Sequence, residues 1–208
     1  MTTLTVQVEA NQDDGDRYYD DGLGQYVFSN SNNYNRIGSD NPMMGAYATT
    51  CYFRFLDVDI PSTATINSAK LQYKLSSNYS FSSKSCRIYA ATGAAITSDA
   101  EMTAAQAAKT NVYTTWNLAT STSSDFLDSP DITAVATGII GLPGWDTSTN
   151  NVTILLMNPT EADMMDAWEM RVKAHEVSSG ADAPKLVIDY TEAAGATSNP
   201  AFLLFLDN

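Results

Sequence analysis

One histidine, two cysteines and eleven basic side chains are all that 208 residues supply of those types. Each scarcity excludes something. A Ser/His/Asp triad would have to use His175, and no GxSxG nucleophile elbow accompanies it. His175 falls on the polar phase of the pattern around it, so it reads as exposed and idle. Cys51 and Cys86 stand alone, without the Cys/His spacing of a zinc site or the numbers of a disulfide framework. Both fall on inward phases of strand patterns, which reads as two buried thiols. The 11 basic residues face 24 acidic ones, for a net charge of −13. Phosphate binding needs Lys/Arg clusters, so nucleic acid is not the expected partner. No apolar run approaches the ~20 residues of a spanning helix, so no membrane partner is expected. The opening MTTLTVQV lacks the basic start and apolar run of an export signal.

What is present is β pattern. Hydrophobic residues make up 44% of the chain, enough for a substantial core. Cys51, Phe53 and Phe55 alternate with Tyr52, Arg54 and Leu56; Leu71, Tyr73 and Leu75 alternate with Gln72 and Lys74. Such period-2 alternation marks strands with one face on a core. Pro61 lies between the two and ends the first, having no N–H for a ladder. Further strands are predicted at Thr3–Glu9, Tyr26–Ser29, Cys86–Ala91, Val112–Leu118, Trp168–His175 and Lys185–Tyr190. Val152–Met157 is apolar on both phases and reads as a central strand. A short peripheral helix is predicted over Ser98–Lys109, where Ser98 and Glu101 have capping-box spacing. A second is predicted within Ser129–Trp145: Ser129 as cap, Pro130 and Asp131 in the first turn, and Gly141 and Pro143 as the stop. Its stripe of Ile132, Val135, Ala136, Ile139 and Ile140 should cover the open end of the β structure. The fold class expected is all-β: an antiparallel jelly-roll sandwich with one or two short helices. The simplest partition is a sandwich over 1–191, followed by a linker and apolar C-terminal tail over 192–208.

Three features invite a functional reading. Asp13, Asp14 and Asp16, with Asp20 and Asp21 beyond, form an acidic stretch that could hold a structural calcium, a cation that takes several oxygens. The spacing is not that of an EF-hand, and the competing reading is a solvated loop with Asp and Gly making turns. Tyr18, Tyr19, Tyr26, Tyr34, Tyr47 and Tyr79 lie in or beside loops and could stack on a sugar; alternatively they half-bury with their hydroxyls wet. Phe202, Leu203, Leu204, Phe205 and Leu206 follow the spacer AAGATSNP. Left in water, such a run invites aggregation, so it must fold back on its own domain or dock on a partner. Docking is the favoured expectation. Paired carboxylates for glycoside hydrolysis are a matter of geometry, and nothing in the pattern picks out a pair. The chain is not expected to be an enzyme.

The run FRFLDVDIPSTATINSAKLQYKL, then CRIYA, SPDITAVATGIIGLPGW and SSGADAPKLVIDYT, is similar to β-sandwich modules of bacteriophage virion proteins and secreted bacterial proteins. These are related to the so-called DNRLRE, carbohydrate-binding-like jelly rolls. The resemblance is carried by Phe53–Phe55, Ile60–Leu71, Gly144–Trp145 and Ala183–Tyr190, and spans roughly residues 3–191. It implies a binding or structural unit and brings no catalytic residues with it. On that resemblance the expected role is a virion structural protein: a head decoration, fibre or tail component assembled in the host cytoplasm. Its partners would be other virion proteins and further copies of itself. A carbohydrate-binding module or host-glycan-binding head is the alternative.

Overall fold

Inward-facing apolar residues on alternate positions assemble into two antiparallel sheets packed face to face. The computed structural model describes residues 1–20, 22–40, 47–81, 84–122, 125–145, 150–158 and 168–193. The strands are β1 (Thr2–Gln7), β2 (Asp14–Asp20), β3 (Gln25–Ser29), β4 (Tyr34–Asp40), β5 (Tyr47–Phe55), β6 (Thr65–Tyr73), β7 (Lys84–Ala91), β8 (Thr114–Leu118), β9 (Leu127–Asp128), β10 (Val152–Met157), β11 (Trp168–Lys173) and β12 (Lys185–Thr191). The helices are α1 (Asp99–Ala108) and α2 (Thr133–Ile140). The smaller sheet has the order β1-β12-β6-β9. The larger has the order β11-β4-β5-β10-β7-β8, with β2 joined to β5 and β3 to β2. The expected all-β antiparallel sandwich is what forms.

The main core lies between the sheets. Cys51, Phe53 and Phe55 of β5, Ile154 and Leu156 of β10, and Ile88 of β7 meet Leu71 of β6 and Ile188 of β12, all at most 1% exposed. Truncating either phenylalanine to Ala would cost about 3–5 kcal/mol. Cys51 and Cys86 are buried free thiols, as their phases predict. Burial pushes both thiols well above the ordinary range. Leu75 bridges Val172, so the end of the smaller sheet's β6 reaches over β11, an outer strand of the larger sheet. Ser76 N–H donates to Arg171 O and Lys173 N–H to Lys74 O, which satisfies a strand edge that would otherwise offer itself to another chain.

A second, smaller core sits on the outer face of the larger sheet. Tyr52, Tyr89 and Leu155 point there and pack with Ile96, Met102 of α1 and Phe28 of β3. This is why Val152–Met157 is apolar on both phases: β10 runs between β5 and β7 with hydrophobic layers above and below. The short helix predicted over Ser98–Lys109 is the lid of that second layer. Ser98 Oγ accepts from Glu101 N–H, and Glu101 reaches back one residue further than the capping box requires, to Thr97 N–H at 2.6 Å.

Four local expectations need correction. The second helix is shorter than predicted, and Ser129 does not cap it. Ser129 Oγ accepts from Leu71 N–H and donates to Pro130 O, tying the approach to β6, while Asp131 accepts from Thr133 N–H. The stripe of Ile132, Val135, Ala136, Ile139 and Ile140 is nonetheless buried, as read. β6 begins at Thr65, so Ile66, expected with Ala64 to plug the end of the core from the loop after Pro61, is a ladder residue. Leu127–Asp128, assigned to a polar linker, adds the short strand β9 to β6. The Asp/Gly-rich stretch, expected to be a loop with a short extended piece at Arg17–Tyr19, has that piece but is strand well beyond it: β2 covers Asp14–Asp20.

Candidate functional site

The acidic stretch is the chemically unusual part of the fold. A 3₁₀ turn over Asn11–Asp13 leads directly into β2, which pairs with β5 in the register Asp14 to Phe53 and Asp16 to Cys51. Side chains opposite one another in an antiparallel pair share a face. Asp14 and Asp16 therefore sit on the core-facing side, with Phe53 and Cys51. Gly15 between them is obligatory on steric grounds: a Cβ there would stand 2.6 Å from Ser29 O and 2.8 Å from Tyr52 Cε1.

Exposures of Asp13, Asp14 and Asp16 are 0%, 1% and 0%, which overturns the solvated-loop reading. Each carboxylate turns to a different donor. Asp13 Oδ1 pairs with Arg54 Nη1 at 2.8 Å. Asp14 Oδ2 accepts from His175 N–H at 2.9 Å. Asp16 Oδ2 accepts from Arg36 N–H at 2.8 Å, with Arg36 Nη1 3.5 Å away. The second oxygen of each is buried with no hydrogen-bond partner among the described residues. Burial raises the Asp14 pKa to about 8, against the pull of the His175 N–H and with a further push from the Glu176 carboxyl. Burial raises Asp16 to about 6, with the Arg36 charge opposing it. Burial also raises Glu176. At neutral pH Asp14 is thus mostly a neutral acid and Asp16 mostly a carboxylate beside its arginine.

These side chains fasten strands together. Asp16 ties β2 to β4, Asp14 ties β2 to the turn after β11, and Asp13 ties the 3₁₀ turn to β5. Their burial closes them to any substrate in solution. As for calcium, the three carboxylates diverge toward three partners. Among the described residues no three His, Cys, Asp or Glu side chains come together as a metal-holding group. Asp20 does make the turn expected of it, accepting from Leu23 N–H; Asp21 lies outside the described residues. His175 is less idle than its phase suggested: Nδ1 lies 3.0 Å from Asn11 Oδ1.

The tyrosines are stacked on the protein's own groups. Arg36 lies over Tyr18, guanidinium carbon 3.8 Å from the ring centroid; Arg171 lies 4.4 Å over Tyr34, with Arg36 at 5.2 Å from the same ring. Glu169 pairs with both arginines. Tyr79 stacks on Phe81, and its hydroxyl accepts from Arg171 N–H. Tyr19 and Tyr26 meet edge to face, and Arg17, paired with Asp99, covers Tyr26. Tyr18 and Tyr34 hold guanidinium groups where a sugar ring would have to lie; the Tyr47 side chain lies outside the described residues. This arrangement matches the half-buried reading of these rings better than an open platform. The arginines that fill it are what the sequence pattern did not signal.

Phe202, Leu203, Leu204, Phe205 and Leu206 lie outside the described residues. No helix among the described residues is long and apolar enough to cross a membrane. No family model matches the chain, and no curated protein matches it.

Proposed function

We propose that this chain is a non-enzymatic structural component of a virion, a head-decoration, fibre or tail protein, held on the particle through Phe202–Leu206. The observation that carries this reading is that β12, the last described strand, already has a strand partner on each edge. β12 is an inner strand, paired with β1 on one side and β6 on the other, and its inward Leu186, Ile188 and Tyr190 are buried. No further strand is needed beside it. Yet the sequence goes on to five large apolar residues within Ala201–Leu206. Burying side chains of this size is worth about 1.5–3 kcal/mol each, so docking all five releases enough to outweigh the several kcal/mol that association costs. The resemblance to phage sandwich modules supports the kind of partner: other virion proteins and further copies of the chain. The cysteines, kept as buried thiols, suit assembly in the reducing host cytoplasm. The strongly acidic surface suits contact with a basic patch on a neighbouring subunit.

The test uses the full chain carrying Phe202→Asp and Phe205→Asp. Wild-type protein should sediment with particles from the producing culture, and the variant should stay in the soluble fraction with an unchanged melting temperature. A variant that still sediments in full, or whose melting temperature drops because the segment packs on its own sandwich, would sink the reading.

A further inference from the structure

At β1 the smaller sheet stops before its core is covered. Among the described residues β1 pairs only with β12. The inward Leu186, Ile188 and Tyr190 of β12 are 2%, 1% and 7% exposed, whereas Leu4 and Val6 of β1 are only half-buried against the same core. Val8 N–H donates to Pro184 O, in register with the β1–β12 ladder. Backbone groups in an antiparallel pair alternate in direction. Thr2, Leu4 and Val6 therefore turn theirs to β12, and the N–H and C=O groups of Thr3, Thr5 and Gln7 point to the open side. They have no backbone partner among the described residues. Exposed edges are normally blunted by a charge, a proline, a bulge or a covering segment. β11 has such a cover in Lys74 and Ser76, and β9 is two residues long. β8 already buries its inward Trp116 and Leu118, and β3 packs on the second core rather than the main one. β1 has no such protection: Thr2–Gln7 is uncharged, free of proline and in unbroken register with β12.

We propose that this edge accepts residues 201–206 of a second copy as an added strand. The acceptor role rests on the docking proposed above for that segment. Its six residues match the six of β1. In such strand addition the backbone supplies affinity and alternate side chains supply fit. Phe202, Leu204 and Leu206 share one phase, which would cover the half-buried Leu4 and Val6. Leu203 and Phe205 share the other. Added to its own β1, the segment would leave those two in water on the face where Thr3 and Thr5 stand exposed. Between two copies both phases are covered, because the donor's body can lie over the outer one. Neither strand carries a charge, so pairing takes none out of water, and copies of net charge −13 meet along an uncharged line. Reach is sufficient: Tyr190 stands opposite Thr2, and residues 192–200 then span at most about 30 Å.

Cross-linking tests the pairing. Two forms of the full chain are produced together and oxidised, one with Thr5→Cys and a size tag, the other with Ala201→Cys, Leu203→Cys or Phe205→Cys. Cys51 and Cys86 are fully buried and do not compete. Paired strands bring facing cysteines within disulfide reach. At least one position should give a reducible heterodimer about tenfold above a control carrying Ala107→Cys on the exposed face of α1. Adding Thr3→Pro to the first form removes an outward N–H but no bond to β12, so the cross-link should fall about tenfold while circular dichroism is unchanged. Pairing between copies stabilises in proportion to concentration. The wild-type melting temperature should therefore rise with concentration, and at high dilution it should equal that of the Phe202→Asp, Phe205→Asp form. Yields no higher than the control, a bond formed only within one chain carrying both cysteines, or indifference to Thr3→Pro would overturn the assignment. If Phe202→Asp and Phe205→Asp release the chain from particles but no cross-link forms, this assignment fails alone. If the cross-link forms but that variant stays on the particles, the attachment reading fails alone.

Discussion

Replacing Asp14 with Asn should reshape the pH dependence of stability. Folding moves the Asp14 pKa from 3.8 to about 8, chiefly because the carboxylate loses its water. The folded state therefore holds a proton that the unfolded state releases between those values. The sign follows: stability associated with this group is fully present below about pH 4 and drains away as pH rises toward 8. At ~1.36 kcal/mol per pK unit, the full traverse costs on the order of 6 kcal/mol, an upper limit because water entry would soften it. Asn keeps an acceptor for the His175 N–H and cannot ionise, so the variant loses this slope. Glu176, Asp13, Asn35 and the His175 backbone remain around it in both proteins. Asp16 adds a smaller slope of the same sign between about pH 4 and 6. Asp182 works the other way: hydrogen bonds from Lys173 and Lys74 hold it down to about 2, so its stabilisation is lost only as pH falls through that range. Urea unfolding followed by circular dichroism from pH 4 to 9 measures the balance. Wild type should be most stable in mild acid and lose several kcal/mol by pH 9. Asp14→Asn should come nearest to it at pH 4 and exceed it by a growing margin up to about pH 8. Parallel curves for the two proteins, or a wild type that gains stability from pH 5 to 9, would refute a buried neutral Asp14.

Gly15→Ala should destabilise by about 3 kcal/mol or more, since its Cβ would meet backbone Ser29 O as well as the Tyr52 ring; urea midpoints check this, and a neutral effect would mean that β2 does not lie so close to β3 and β5. Treatment with EDTA should leave the melting temperature unchanged, because Asp13, Asp14 and Asp16 diverge toward Arg54, His175 and Arg36. A fall of many degrees, reversed by added calcium, would restore the cation reading of those residues.

The sandwich was legible because its strands obey simple periods. β5, β10, β11 and β12 keep their inward phases almost without exception, and one stripe on α2 closes the space between β6 and β7. Two things escaped for physical reasons. Ser129 carries a cap signature, but a backbone N–H of the adjacent strand competes for the same hydroxyl, and sequence order does not reveal which neighbour wins. The tyrosines can be read as exposed, because the arginines that cover them arrive from β2, β4 and β11, far apart in the chain.

The misreading of the acidic stretch has the most instructive cause. Asp and Gly favour turns when the backbone donors that they bind are their own. Here the donors belong to other strands, at a place where the larger sheet forks. One edge of β5 is shared: Thr49, Ala48 and Tyr47 pair with β4, while Thr50 to Phe53 pair with β2. Before Gly38, β4 has not yet met β5 and has only β11 as a ladder partner, so the Arg36 N–H turns to β2 instead of a ladder carbonyl. Asp16 supplies the missing acceptor. Asp14 does the same for His175, one turn beyond the end of β11. A buried N–H left alone costs about 1–3 kcal/mol, and a carboxyl oxygen on a short side chain is among the few groups that can cross a fork to reach it. Of the two acids, the one with an arginine at hand stays charged and the other keeps its proton. The acidic residues of β2 are thus the hydrogen-bonding side of a split sheet, and the cost of desolvating them is offset by the backbone N–H groups of Arg36 and His175 that they satisfy.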